Sequence, residues 1–187
     1  MADKKRREHM KEKLLKAFWQ LYGEYPLQQL QVKAVASLAG CNRCTFYQYF
    51  TDIYDLLDYA EDVLVSDMMQ YLQAAVGDSD MEHCLQNAAQ AYTEYGYYLN
   101  ILLGPNGSPS FFKKYKQAMK PFLTKQFHLP EKHPMADLLC EYCVGAFLAT
   151  VSYWQQQKQP ISAEELASFL YTALRQGVFQ YLSDGVH

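Results

Sequence analysis

The stretch Gln31-Val-Lys-Ala-Val-Ala-Ser-Leu-Ala-Gly40-Cys-Asn-Arg-Cys-Thr-Phe-Tyr-Gln-Tyr-Phe50 decides the fold. Its pattern predicts two short helices, over residues 31–39 and about 42–49, on either side of Gly40 and Cys41. Gly40 suits the left-handed position that ends the first of them, where a Cβ would crowd the backbone. Asn42 is placed to cap the second through its side-chain oxygen. Two short helices joined by a tight glycine turn form a helix-turn-helix pattern. Upstream, Leu14, Leu15, Phe18, Leu21 and Tyr22 recur on one face of a helix over residues 8–23. Val32, Val35, Ala36, Phe46 and Phe50 are expected to pack on that face, with the small Ala36 and Ala39 allowing close approach.

Downstream, the apolar residues keep a helical period. Leu56, Leu57, Tyr59, Ala60, Val63, Leu64, Met68 and Leu72 predict a longer helix, with Asp52 or Thr51 as its cap. Residues 80–102, 109–126, 135–157 and 162–183 predict four more, separated by Gly and Pro clusters. Ser162-Ala-Glu-Glu165 has the form of a capping box. Strand-like alternation is absent, so the expected class is all-α with about nine helices. The expected organisation is a helix-turn-helix domain over 1–50, a connecting fourth helix over 51–72, and a helical body over 73–187.

Half of the 187 residues are hydrophobic and 20% are charged, which excludes a disordered chain or a collagen-like rod. No uninterrupted apolar run approaches the ~20 residues of a membrane span, and the basic N-terminus lacks the apolar core of a secretory signal. The expectation is a cytoplasmic protein with no membrane partner. The net charge of −3 conceals a division. Residues 1–50 hold nine basic and four acidic side chains, or +5, and the remainder carries −8. That asymmetry points to a basic module that meets an anion and an acidic module with another task.

The order Gly40-x-x-Arg43-x-Thr45-Phe46-Tyr47-x-x-Phe50, followed by Asp52 and Tyr54-Asp-Leu-Leu57, resembles the DNA-binding domain of the TetR/AcrR family of transcription regulators over about residues 8–64. The wording from Asn42 to Tyr47 and the Tyr54–Leu57 ending are similar to a branch that includes the dihydroxyacetone-kinase operon activator. The resemblance implies a TetR-like fold, a homodimer, an operator-DNA partner and a small-molecule effector of unknown identity. Repression is its default mode. The recognition helix is similar to residues 42–49, entering the major groove by its N-terminal part. Arg43 and Thr45 are then candidates for base edges, through a bidentate guanine pair and a methyl contact to thymine. Tyr47 resembles a phosphate-contacting tyrosine, and Gln48 and Tyr49 lie at the groove wall beside it. Gln31 occupies the place of a helix-capping Thr, and Lys33 offers a second backbone contact. Lys4, Lys5, Arg6 and Arg7 form a possible basic arm toward the minor groove or backbone.

Four positions depart from the family pattern. Pro26 replaces a Gly after the first helix, Cys44 a small residue in the recognition helix, and Tyr49 a His. Ile53 stands where a phosphate-binding Lys is usual. The last change keeps a rival reading open, a protein-interaction coactivator whose DNA-binding head is degenerate.

In the body, the resemblance implies that two long helices, about 136–157 and 162–183, form the dimer pair. Tyr95, Tyr98, Phe111, Phe112, Tyr115, Phe122, Tyr142, Phe147 and Trp154 are candidates for an effector pocket, since aromatic rings offer apolar faces with polar tips. The alternative for each is a place in the core or the interface. Cys41/Cys44 and Cys140/Cys143 have C-x-x-C spacing, but one pair starts the recognition helix and the other lies inside a body helix, so no shared zinc site is expected. A disulfide between Cys41 and Cys44 would make a redox switch, favoured by the thiol-acidifying effect of a helix N-terminus. A reduced intracellular pair is the alternative. His128 and His133 have no third ligand near them in sequence. No nucleophile motif, phosphate loop or paired-carboxylate arrangement occurs. No enzyme, catalytic residue, metal or cofactor is expected.

Overall fold

The computed structural model describes residues 2–76, 94–126, 134–174 and 176–177. All regular structure among them is helical. The chain divides into two compact units, Met1–Leu64 and Val65–His187.

In the first unit, α1 (Ala2–Glu24) buries Leu14, Ala17, Phe18, Trp19 and Tyr22. It stops before Pro26, whose ring disfavours the helical conformation at the residue before it. A 3-10 turn, Leu27–Gln29, leads to α2 (Val32–Leu38). This helix packs against both α1 and α3 (Arg43–Tyr47). Its end is closed by two bonds: Gly40 donates its N–H to Ser37 at 3.1 Å and Cys41 to Ala36 at 2.9 Å. That reversal requires a left-handed residue, and Gly40 has φ of +72°.

Only one and a half turns long, α3 has no stability of its own. Phe46 anchors it, fully buried, with its ring 5.9 Å from Phe50. Phe50 in turn meets Tyr59 at 5.3 Å. Helix α4 (Ile53–Val76) begins with reciprocal caps: Asp52 Oδ1 accepts from the Asp55 N–H at 2.8 Å, and Asp55 Oδ2 accepts from the Thr51 N–H at 2.7 Å. Of the two caps the sequence allowed, Asp52 serves. Glu61 of α4 is fully buried. Burial pushes the Tyr22 hydroxyl above its ordinary range, and the Glu61 charge adds to the push.

In the second unit, α5 (94–102) is followed by a tight turn and then α6 (Pro109–Gln126), α7 (Pro134–Gln156) and α8 (Ala163–Leu174). Ser108 closes the turn by donating its N–H to the Leu102 carbonyl at 3.0 Å. A Cβ at Gly107 would stand 2.2 Å from the same carbonyl oxygen, so only glycine fits. Helices α6 and α7 pack together, with Lys116 paired to Glu141 and Lys120 to Asp137. Ala136, Leu139, Cys140, Val144, Leu148, Val151 and Trp154 form the buried stripe of α7. Ser162 and Glu165 make the expected capping box at α8, with bonds of 2.7 and 3.1 Å. Predicted segments 80–93, 127–133 and beyond 177, with His128 and His133, lie outside the described residues.

Two expectations are corrected. The first helix starts at Ala2 rather than residue 8, so Lys4 to Arg7 stand exposed on its first turns. By length and composition α7 is apolar enough to cross a membrane, although Asp137 and Glu141 interrupt its apolar run. The same composition suits a body helix, and the buried stripe and the Glu141 and Asp137 pairs of α7 fit that use.

Candidate nucleic-acid interface and effector cavity

The cap of α3 sets what that helix can present. Asn42 Oδ1 accepts from the Thr45 N–H at 2.8 Å and from the Thr45 hydroxyl at 3.1 Å. The hydroxyl is thereby committed, and the methyl of Thr45 is the group left for an apolar contact. Arg43 and Gln48 are exposed, and Tyr47 is 57% exposed with its ring edge-on to Phe46. Tyr49 is half-buried, with the Arg7 guanidinium 6.0 Å from its ring centroid. Gln31 precedes α2 as an exposed cap whose side chain makes no cap bond, so only its backbone holds the helix end. Lys33 is exposed. All these side chains belong to one short stretch around α2 and α3. Ile53 is buried in the core of this unit, so an apolar residue there serves packing.

In the second unit an apolar cavity of about 140 Å³ lies among α6, α7 and α8, reached also by Leu72 of α4. Four of the aromatic candidates line it: Tyr115, Phe122, Tyr142 and Phe147. The others are placed elsewhere. Phe111 is fully buried in stacking contact with Tyr115, and Phe112 carries Lys116 over its ring at 5.0 Å. Tyr95 packs edge-on to Tyr71, and Tyr98 on Tyr97. Trp154 joins Val151 and Leu166 in the core and donates its indole N–H to the Ile161 carbonyl at 2.9 Å. The rest of the lining is aliphatic or sulfur-bearing, including Met119, Leu123, Cys143 and Leu170. Helical period marks these as inward-facing, but nothing in their type separates cavity from core.

A family model described as "Transcriptional regulator C-terminal region" (TetR_C_8) matches residues 79–176, just over half of the chain. The chain belongs to the TetR family of transcriptional regulators. No curated protein sequence matches it. Among solved structures, it is similar to a TetR transcriptional regulator from Streptococcus agalactiae, at 22% identity and TM-score 0.69, over 93% of this chain and 99% of that one. The transcriptional regulator FadR from Bacillus subtilis, solved in complex with stearoyl-CoA, shares 16% identity at TM-score 0.63, over 87% and 96% of the two chains. The dihydroxyacetone kinase operon activator DhaS shares 19% at TM-score 0.59, over 88% and 93%. At these identities the likeness is one of fold.

The described thiols of this TetR-family chain are in the reduced form. Cys41 and Cys44 are free. Burial pushes the Cys41 thiol up, opposite to the activation expected at a helix start. Cys140 donates its thiol proton to the Lys116 carbonyl at 3.4 Å, and burial raises it too. Beside the cavity, Cys143 is pushed up to about 12, by burial first and then by Cys140. Among the described residues no group of three or more His, Cys, Asp or Glu could hold a metal ion.

Proposed function

We propose that this regulator is a homodimeric, sequence-specific DNA-binding repressor that acts in the cytoplasm and answers a small apolar effector. The observation that carries the reading is the division of labour in α3. Phe46 and the Asn42 cap hold the helix, while Arg43, Tyr47 and Gln48 stand exposed beside it. Such a face suits base edges and phosphates of a major groove. The exposed reading residues support this function over a protein-interaction coactivator.

Dimerisation is supported by an unpartnered stripe on α7. Leu138, Tyr142 and Tyr153 are 58–65% exposed and share one helical face with Gly145 and Ala149, whose small size admits a neighbouring helix. Phe169 of α8 is exposed as well. A two-fold pair would bury such a patch and present two reading heads to a palindromic site. The apolar cavity suits the effector: cavities of about this size take a molecule of roughly benzene's dimensions. Coupling of roughly 1–3 kcal/mol between effector and operator would change affinity about 5–150-fold.

Selection of random duplexes by the purified protein tests the reading. A pseudo-palindromic sequence should be enriched, and Arg43→Ala should lose it. No enrichment at moderate salt, together with an Arg43→Ala variant that behaves as wild type, would overturn it. Leu138→Glu with Tyr153→Glu should sediment as a monomer.

A further inference from the structure

Helix α1 continues to Ala2 although Lys4 to His9 are all exposed. A helical extension that buries no apolar face is marginal unless something else ties it down. Two cation–ring contacts do so. Arg7 lies 6.0 Å from the centroid of Tyr49, and the Lys11 ammonium 4.7 Å from that of Tyr59. Arg7 and Lys11 are one turn apart and continue the stripe of Leu14 and Phe18, which is wholly buried. One face of α1 thus changes along its length, from apolar core to cations resting on rings.

The two cations are not equivalent. After burial, the charges of Glu8 and Glu12 are what raise the Tyr59 hydroxyl, so Lys11 sits among carboxylates. Arg7 lies over Tyr49, two residues beyond the end of α3. At 6.0 Å the ring attracts the guanidinium without using its N–H donors, which stay free to grip two oxygens of one phosphate.

We propose that Tyr49 is a positioning residue that holds Arg7 beside the reading helix, where its guanidinium binds a backbone phosphate of duplex DNA. The proposal rests on the DNA-binding reading above and narrows the basic arm to one backbone contact, made by Arg7 from helix α1. It assigns Arg7 affinity and no sequence preference.

The experiment is a salt titration of binding to a fluorescent mixed-sequence duplex of about 20 bp, roughly two helical turns. Each phosphate contact contributes about 0.9 to the slope of log affinity against log salt. Arg7→Gln removes one contact from each head of the dimer and should lower the slope by about 1.8, so the affinity lost between about 50 and 200 mM salt becomes roughly 12-fold smaller. Tyr49→Phe should keep the wild-type slope. Tyr49→Leu should match Arg7→Gln, and the double variant should fall no further. Tyr49→Met, which also lacks a ring, replaces Tyr49→Leu if that variant melts early by circular dichroism. A wild-type slope in Arg7→Gln overturns the proposal. So does a wild-type slope in the ringless Tyr49 variant while Arg7→Gln falls. A wild-type protein that does not bind the duplex at about 50 mM salt overturns the DNA-binding reading itself, which keeps the two failures distinct.

Discussion

Replacing Gly40 by alanine isolates one backbone conformation from every other source of stability. Gly40 has φ of +72°, and a Cβ built on it would meet nothing within 4 Å. Steric overlap therefore adds nothing, and the whole penalty is conformational. A left-handed alanine costs roughly 1–2 kcal/mol, and the loss of glycine's freedom in the unfolded chain returns roughly 0.4–1. The net destabilisation should be about 0.8 kcal/mol at the centre of these ranges and at most roughly 1.6. With a urea slope of about 2 kcal/mol per molar, the midpoint should fall by about 0.4 M and at most roughly 0.8 M. Gly40→Asn should lose less, because asparagine tolerates the left-handed region. Urea unfolding followed by circular dichroism at the helix band reads both variants. An alanine variant more stable than wild type would refute the left-handed turn. An alanine penalty above about 3 kcal/mol, equalled by asparagine, would mean that the turn is sterically closed.

Three further outcomes are expected. Phe46→Ala, which empties a fully buried site, should lower stability by about 3–5 kcal/mol in the same assay and abolish DNA binding with it. Tyr22 gives a pH dependence of definite sign. The folded state holds its phenol protonated more tightly than the unfolded chain does. That contribution is complete below the ordinary phenol range near pH 10 and is lost as pH rises through the raised folded value. Across that range the urea midpoint should fall further for wild type than for Tyr22→Phe, and equal losses would remove Tyr22 as the cause. Iodoacetamide at mildly alkaline pH should label the exposed Cys44 ahead of Cys41, with Cys140 and Cys143 last. Peptide mapping that finds Cys143 labelled early would contradict its half-buried, neutral state.

The head was legible because its constraints act through residue type. A left-handed residue asks for glycine, and Gly40 is at that point. An uncapped short helix asks for a side-chain acceptor, and Asn42 supplies it. Prolines 109 and 134 likewise marked the starts of α6 and α7 within a residue. The N-terminal turns of α1 were not legible, since a segment polar on all sides has no period to read. Cations settling on the rings of Tyr49 and Tyr59 are tertiary contacts with no local signature. The cavity was half legible for a related reason. Aromatic content flagged Tyr115, Phe122, Tyr142 and Phe147, but the same criterion flagged Phe111, which the fold uses as packing. Which inward-facing ring borders a void depends on how neighbouring helices fill the space, and Met119 and Leu123 carry no mark of it.

The brevity of α3 has a consequence for how this chain can diverge. Gly40, Asn42, Phe46 and Phe50 shape and anchor the helix, and Arg43, Tyr47 and Gln48 extend from it with little burial of their own. The two sets interleave in sequence yet share almost no structural duty. Substitution in the exposed set should leave the head folded while changing which sequence it prefers. A duplicated copy could therefore acquire a new operator in a few steps, without first passing through an unstable ancestor.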